Sequence, residues 1–370
     1  MKMFLLVVSA FFSVIGMAQP TRLLIGTYTQ SGSHGIYAAD FDTLTGKISL
    51  LDSVSANNPS YLCLSPNGRN LYAVSETAKD KPGSVISFDF NSETGAMKLL
   101  NAQSSGGDHP CFVAINSLGN YVVVSNYSGG SLAVLPVDKM GMLKPAVQVI
   151  QRYGSGPDKG RQEKSHVHQA QFSKNQRHVV INDLGTDMVV AYPLNTGKKA
   201  GPFLDTSKAK GIHLDPGSGP RHLVFHPTKN YFYVLGEMSG RVSVHTFGKK
   251  RIAWLQTIDC DTVSTQPGSA DIHISPDGKF LYASNRAQAN NIVIYSINQS
   301  DGRLRQIGTQ STEGVSPRNF VIHPSGKWLL VANQASNNIV VFNRNLQTGM
   351  LTASGMQLQL PTPVCLVFGN

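Results

Sequence analysis

The sequence predicts an all-β chain folded as a seven-bladed β-propeller, and three observations predict it. One hairpin pattern recurs six times, at intervals of about 50 residues. A seventh copy is divided between the two ends of the chain. Charged residues make up only 15% of the 370 positions while glycine (35) and proline (19) are abundant, which favours short strands and turns over amphipathic helices. A repeat of about 40–50 residues carrying four strands has the size of one propeller blade.

Taken in order, the chain opens with MKMFLLVVSAFFSVIGMA: one lysine, an apolar run from Met3 to Ile15, then small residues. This is the pattern of a secretory signal peptide cleaved after Ala18, and it predicts an exported protein, periplasmic or secreted, with residues 19–370 as one domain. The run is too short to span a bilayer and no other segment is as apolar, so no membrane span is expected in the mature chain. RLLIGTYTQ (Arg22–Gln30) then reads as a second blade strand and HGIYAADFD as a third. The intact hairpins follow: PSYLCLSPNGRNLYAVSE from Pro59, PCFVAINSLGNYVVVSNY from Pro110 and VHQAQFSKNQRHVVINDL from Val167. PRHLVFHPTKNYFYVLGE from Pro220, SADIHISPDGKFLYASNR from Ser269 and PRNFVIHPSGKWLLVANQ from Pro317 complete the six. Third strands such as GSVISFDFN, GRVSVHTFG and NIVIYSINQ come after them. PTPVCLVFGN at the C-terminus supplies only a first strand, so pairing it with the N-terminal strand closes a ring of seven. The WD dipeptide of WD40 blades is absent.

With the turn of the Pro220 copy centred on Lys229, Arg221 lies opposite Glu237. The same offset sets Ser60 against Glu76, Cys111 against Tyr127, His168 against Leu184 and Ala270 against Arg286. It also sets Arg318 against Gln334 and Val364 against Tyr28. Apolar residues fill the middle of every hairpin, so one end carries the variation. Rotation about the propeller axis then gathers Tyr28, Glu76, Tyr127, His168, Arg221, Glu237, Arg286, Arg318 and Gln334 around one mouth of the central channel. Salt bridges that merely seal this end are the bland alternative. Three arginines and a histidine nevertheless outnumber two glutamates, and an uncompensated desolvated charge costs several kcal/mol. Surplus guanidinium groups suit an anionic guest, a carboxylate or a phosphate.

The longest interval between copies ends at Val167 and contains RYGSGPDKGRQEKSHVHQ (Arg152–Gln169), a lid or substrate loop. Arg152 to Lys159 reads equally well as a surface insertion; Arg161, Gln162 and His166 stand nearer the strand and join the candidates for substrate binding. His166 and His168, two apart, face the same way on an extended strand. The H-x-H pair lacks a third ligand at suitable spacing, so no metal is expected. His226 and His323 open His-Pro turns and His273 sits within a strand, all three structural. Cys63, Cys111, Cys260 and Cys365 lack zinc-like spacing and read as buried thiols. The net charge of +10 includes no Lys/Arg run or basic helix, which argues against nucleic acid and for steering of a small anion.

The segments RQEKSHVHQAQFS, NDLGTD, GSGPRHLVFHP, LGEMSG, ISPDGKFLYASNR and SPRNFVIHPSGKWLLVANQ resemble, in this order, the lactonase family of seven-bladed propellers. Its members include bacterial propeller-type 6-phosphogluconolactonases and the fungal 3-carboxy-cis,cis-muconate cyclase. The resemblance spans the mature chain and implies metal-independent, cofactor-free chemistry on a small anionic lactone at the channel mouth. It implies catalytic roles for His168, Arg221, Glu237 and Arg286, the positions matching the family's His, two Arg and Glu. The phosphogluconolactone substrate is cytoplasmic, whereas this chain carries an export pattern, which points either to another sugar lactone or to a changed activity.

A lactone is an ester, and its hydrolysis places negative charge on the carbonyl oxygen, which Arg221 and Arg286 are suited to stabilise with help from Arg318 and Arg161. Glu237 and His168 are then the base and acid, in either order. No G-x-S-x-G nucleophile motif is evident, which favours direct attack by water. Three readings follow: hydrolysis of a sugar lactone to the aldonic acid, a lyase closing the ring of an unsaturated diacid, and a non-catalytic exported propeller binding an acidic ligand or a protein.

Overall fold

A computed structural model describes residues 21–78, 82–195, 202–248 and 251–369. The expected signal peptide, residues 1–18, lies outside them. The described residues form seven four-stranded antiparallel sheets. Six are built from consecutive strands, and the seventh joins Pro363–Phe368 to Thr21–Thr27, Gly35–Phe41 and Ile48–Ser55. We number this terminal sheet blade 1 and the others 2 to 7 along the chain. The innermost strands are Leu62–Leu64, Pro110–Ile115, Val167–Phe172, Pro220–Phe225, Ser269–Ile274, Pro317–Ile322 and Pro363–Phe368. Each packs against the next, and Pro363–Phe368 also meets Leu62–Leu64, so the ring is closed.

Second strands such as Asn70–Ser75, Phe280–Asn285 and Trp328–Asn333 are buried at every residue. Their near-continuous apolar runs fit strands covered on both faces by neighbouring blades. Outer strands such as Ile48–Ser55 face water and are mostly exposed. At the terminal seam Leu23, Ile25, Phe41, Trp328, Leu330 and Leu366 share one core. There the Trp328 ring stands edge-on to Phe41 at 5.7 Å, and its Nε1–H donates to the Thr43 carbonyl at 3.0 Å. Gly26 completes the seam: a Cβ at this position would collide with the Pro59 carbonyl of blade 2.

The register differs from an evenly paired hairpin. In blade 5 the pairs are His222↔Leu235, Leu223↔Val234 and Phe225↔Phe232, so the turn is one residue tighter than one centred on Lys229. The register slips between Pro220 and His222, leaving Arg221 without a partner. Arg221 is therefore the extra residue of a β-bulge, which bends the strand and re-aims the side chain. Cys111, His168 and Arg318 occupy the same bulge in blades 3, 4 and 7. Blade 6 makes the same one-residue slip, with Ala270 and Asp271 both set against Ser284, and Val364 is skipped in blade 1. The fault in the ladder repeats around the ring and points the variable residues at the axis.

The next station along each inner strand holds Tyr61, Phe112, Gln169, His222, Asp271, Asn319 and Cys365. Inner strands expose one backbone edge to the channel, and buried N–H groups there need acceptors. Gln169 Oε1 accepts from Leu223 N of the next blade at 2.6 Å, and Asn319 Oδ1 from Leu366 N at 2.7 Å. Asp271 Oδ2 accepts from Phe320 N at 3.4 Å, and Cys365 Sγ from Leu62 N at 3.3 Å. The rings of Tyr61, Phe112 and His222 fill the throat with centroids 4.1–5.9 Å apart.

Candidate active site

The bulges deliver His168 and Arg221 to the mouth, and the ends of the second strands deliver Glu237 and Arg286. Glu237 is the hub. Its Oε2 lies 2.9 Å from Arg221 Nε and 3.2 Å from Arg286 Nη2, and its Oε1 accepts from Arg161 Nη2 at 2.6 Å. Burial alone would raise the Glu237 carboxyl, but Arg286, Arg221 and Arg161 outweigh it and hold it down to about 2. The Arg221 guanidinium also donates to the Ala270 carbonyl of blade 6, and Arg286 Nε donates to Gly268 O at 2.8 Å. Burial pushes Arg286 down to about 10, so it stays charged at neutral pH.

His168 is buried beside these cations. Desolvation, then Arg221, His222 and Arg318, push its pKa well below the ordinary imidazole range, so it is neutral. Its Nδ1 faces the Cys111 thiol at 3.9 Å, and its ring stands edge-on to Tyr127. His166 stacks on Tyr127 at 4.5 Å, and its Nε2 meets Glu163 Oε1 at 3.1 Å. Both histidines thus pack against one tyrosine ring.

A second group stands across the mouth. Glu76 accepts from the Tyr28 hydroxyl at 2.9 Å and from Ser60 Oγ, and the Arg318 guanidinium lies 5.3 Å from the centre of the Tyr28 ring. Between the groups is a cavity of about 10 Å³, the size of one water, lined by Ser60, Cys111, Arg221, His222 and Arg318. Gln334 is half-buried at the equivalent station of blade 7, and its side chain bonds none of the others. Four guanidinium groups here face two glutamates.

The loop before Val167 carries Arg161 to Glu237 and is anchored by polar bonds. Asp183 accepts from Ser165 Oγ at 2.8 Å and from His166 N at 2.9 Å. Gln162 is fully buried, with Nε2 donating to Leu184 O and Asp187 Oδ1, both at 2.8 Å. Its amide is spent on holding the loop and does not face the mouth.

Sequence reasoning passed over His222 and Asp271. His222 Nδ1 meets Asp271 Oδ1 at 2.8 Å, and His273 Nε2 meets Asp271 Oδ2 at 2.9 Å. Asn319 Nδ2 also donates to that carboxylate, at 2.5 Å. His222 Nε2 in turn lies 3.3 Å from Arg221 Nη1. Burial, then Arg221, pushes His222 down to about 4 despite Asp271, so a neutral imidazole backs the arginine. His273 is thus tied to this buried network as well as to its strand. The signal available was a repeat station that is polar in four consecutive copies, Gln169, His222, Asp271 and Asn319. Among the described residues no cluster of three His, Cys, Asp or Glu side chains is placed to hold a metal ion.

The family model described as a lactonase, seven-bladed β-propeller, matches residues 22–368. A 6-phosphogluconolactonase of Formosa agariphila is 42% identical over 335 residues, 89% of this chain and 94% of that protein. The crystal structure of a putative 6-phosphogluconolactonase of Bacteroides fragilis superposes with a TM-score of 0.91 at 39% identity, covering 97% of this chain and 100% of the other. The periplasmic gluconolactonase of Pseudomonas aeruginosa does so at 0.89 and 33% identity, covering 95% and 99%.

Proposed function

We propose, from the premise that the chain belongs to the lactonase family of seven-bladed β-propellers, the following reading of its site. The protein is a carboxylic ester hydrolase that opens a sugar lactone to the aldonic acid. The relatives named above support lactone hydrolysis; the lyase and non-catalytic readings draw no support from them. One observation carries the site: a neutral imidazole, His168, stands among guanidinium groups that outnumber the carboxylates.

In this reading the lactone carbonyl sits against Arg221 and Arg286, which take up the oxyanion charge. Both oxygens of Glu237 are engaged by guanidinium groups, and its task is to fix three of them in place. His168 accepts the proton of the attacking water as the new C–O bond forms. The tetrahedral adduct then expels the ring oxygen, which takes that proton from the imidazolium. The aldonic acid releases its own proton to solvent. Arg318 and Arg161 hold the anionic end of the substrate, with Tyr127, His166, Glu76 and Gln334 around it.

The test is pH-stat titration of wild type and His168→Gln with glucono-1,5-lactone and its 6-phosphate. Loss of a positioned base lowers kcat by about 10²–10⁴-fold. Wild-type turnover in the variant would remove His168 from the mechanism, and inert wild type on both lactones would overturn the reading. The leader-like residues 1–18 and the periplasmic relative support export. The mass of the mature chain checks this, with Gln19 expected as its first residue.

A further inference from the structure

The repeat supplies a test for added function: stations that are apolar in every other blade should be apolar in blade 5. Two are not. On third strands aligned by their pairing with the second, Ser243 and His245 stand where the other blades carry Tyr37/Ala39, Ile86/Phe88, Ala133/Leu135, Val190/Tyr192, Val293/Tyr295 and Val340/Phe342. Both are buried, His245 to within 2% of full burial. The imidazole stacks on Phe232 and its Nε2 meets Ser243 Oγ, while its Nδ1 is buried with no partner in the protein. Burying an unpaired polar nitrogen is costly, and packing alone would favour the tyrosine or phenylalanine of the sister blades.

The same two residues line an open cleft. The outer strand of blade 4, Lys210–His213, has four residues, against eight in Ile252–Asp259 of blade 5. The short strand leaves a cavity of about 310 Å³ between the blades, with Asp215, Arg241, Thr257 and Trp254 on its walls. None of the residues around the channel mouth lines it. Trp254 is 64% exposed, and its Nε1–H is tied to Thr257 Oγ1 at 3.0 Å, which restrains the ring. The cleft therefore combines one aromatic face, hydroxyl groups, an imidazole able to donate or accept, and charges of both signs. Arg241 is already tied to Asp259 at 3.0 Å and Asp215 adds a negative charge, which disfavours a simple anion, and a wholly apolar guest leaves the imidazole unpaired. A pyranose ring answers both demands, with C–H groups for the indole and hydroxyls for the polar wall; the volume is at the lower end of small-ligand sites.

We propose that the cleft between blades 4 and 5 is a second, non-catalytic site that binds a neutral sugar ring against Trp254 and His245. The chain has two tryptophans, and Trp328 is buried, so intrinsic fluorescence reports chiefly on Trp254. Titration of the mature protein with methyl β-glucoside and cellobiose is expected to give a saturable blue shift at millimolar concentration. The double variant S243V/H245Y restores what the sister blades carry. It is expected to keep its lactone turnover, melt no lower than wild type, and bind at least about tenfold more weakly, roughly 1.4 kcal/mol. Trp254→Ala, an exposed change, is expected to lose the saturation-transfer NMR signal of the sugar. No saturable response from wild type to either sugar overturns the proposal. So does unchanged binding by either variant. Lactone turnover, measured separately, is indifferent to both outcomes.

Discussion

Glu237 carries more of the site than its single charge suggests, because three arginines depend on it. Glu237→Gln keeps the shape but leaves buried Arg221 and Arg286 without a counter-charge. Breaking a buried pair in this way costs about 3–5 kcal/mol. The unfolding free energy of the variant, read from urea denaturation, is expected to fall by that amount, and loosened guanidinium groups are expected to lower kcat/KM by about 10²-fold or more. Residues that break the repeat with a charge, Arg221, Glu237 and Arg286, were legible because the pattern around them is so regular. The bulge under Arg221 was not, since it is a property of backbone pairing that leaves no mark on residue type. Gln162 looked like a substrate contact by its place near the strand, but a buried amide answering Leu184 O and Asp187 serves the loop. His222 and Asp271 were hidden for the opposite reason: a polar residue within a strand reads as filler until neighbouring strands bring its partners.

Among the elements, the seam between the chain ends bears the greatest geometric demand. Thr21–Thr27 pairs with Pro363–Phe368 on one side and Gly35–Phe41 on the other, and it approaches Pro59 so closely that Gly26 cannot carry a side chain. Gly26→Ala forces these strands apart. The expected cost is about 1–3 kcal/mol, as for other overpacked sites, read as a drop in melting temperature. Turnover per folded molecule is expected to change little, since Glu237 and Arg286 lie in blades 5 and 6. The split blade itself was readable from the sequence, because a first strand without a hairpin at one end matches a second strand without a partner at the other.

For the whole molecule, acid stability follows from its buried imidazoles. His168 is pushed well below the ordinary value of 6.5, and His222 and His245 to about 4. The unfolded chain binds protons at these sites near pH 6.5 while the native state refuses them, so their contribution is complete above pH 6.5 and is lost as pH falls towards 4 and below. The carboxylate term comes later: Glu237 has an ordinary value of 4.5 and is held down to about 2, so its contribution fades between those values. The melting temperature is expected to decline already from pH 6.5 to 4, and His245→Tyr is expected to flatten that decline. The terminal seam has a further consequence for biosynthesis. Of the described strands, the one that completes the first blade is synthesised after all the others, so a nascent chain that lacks it is an open crescent with Thr21–Thr27 exposing an unsatisfied edge. Until Pro363–Phe368 has emerged the circle cannot lock, and a chain cut before that strand has every candidate catalytic side chain and no closed disc to hold them.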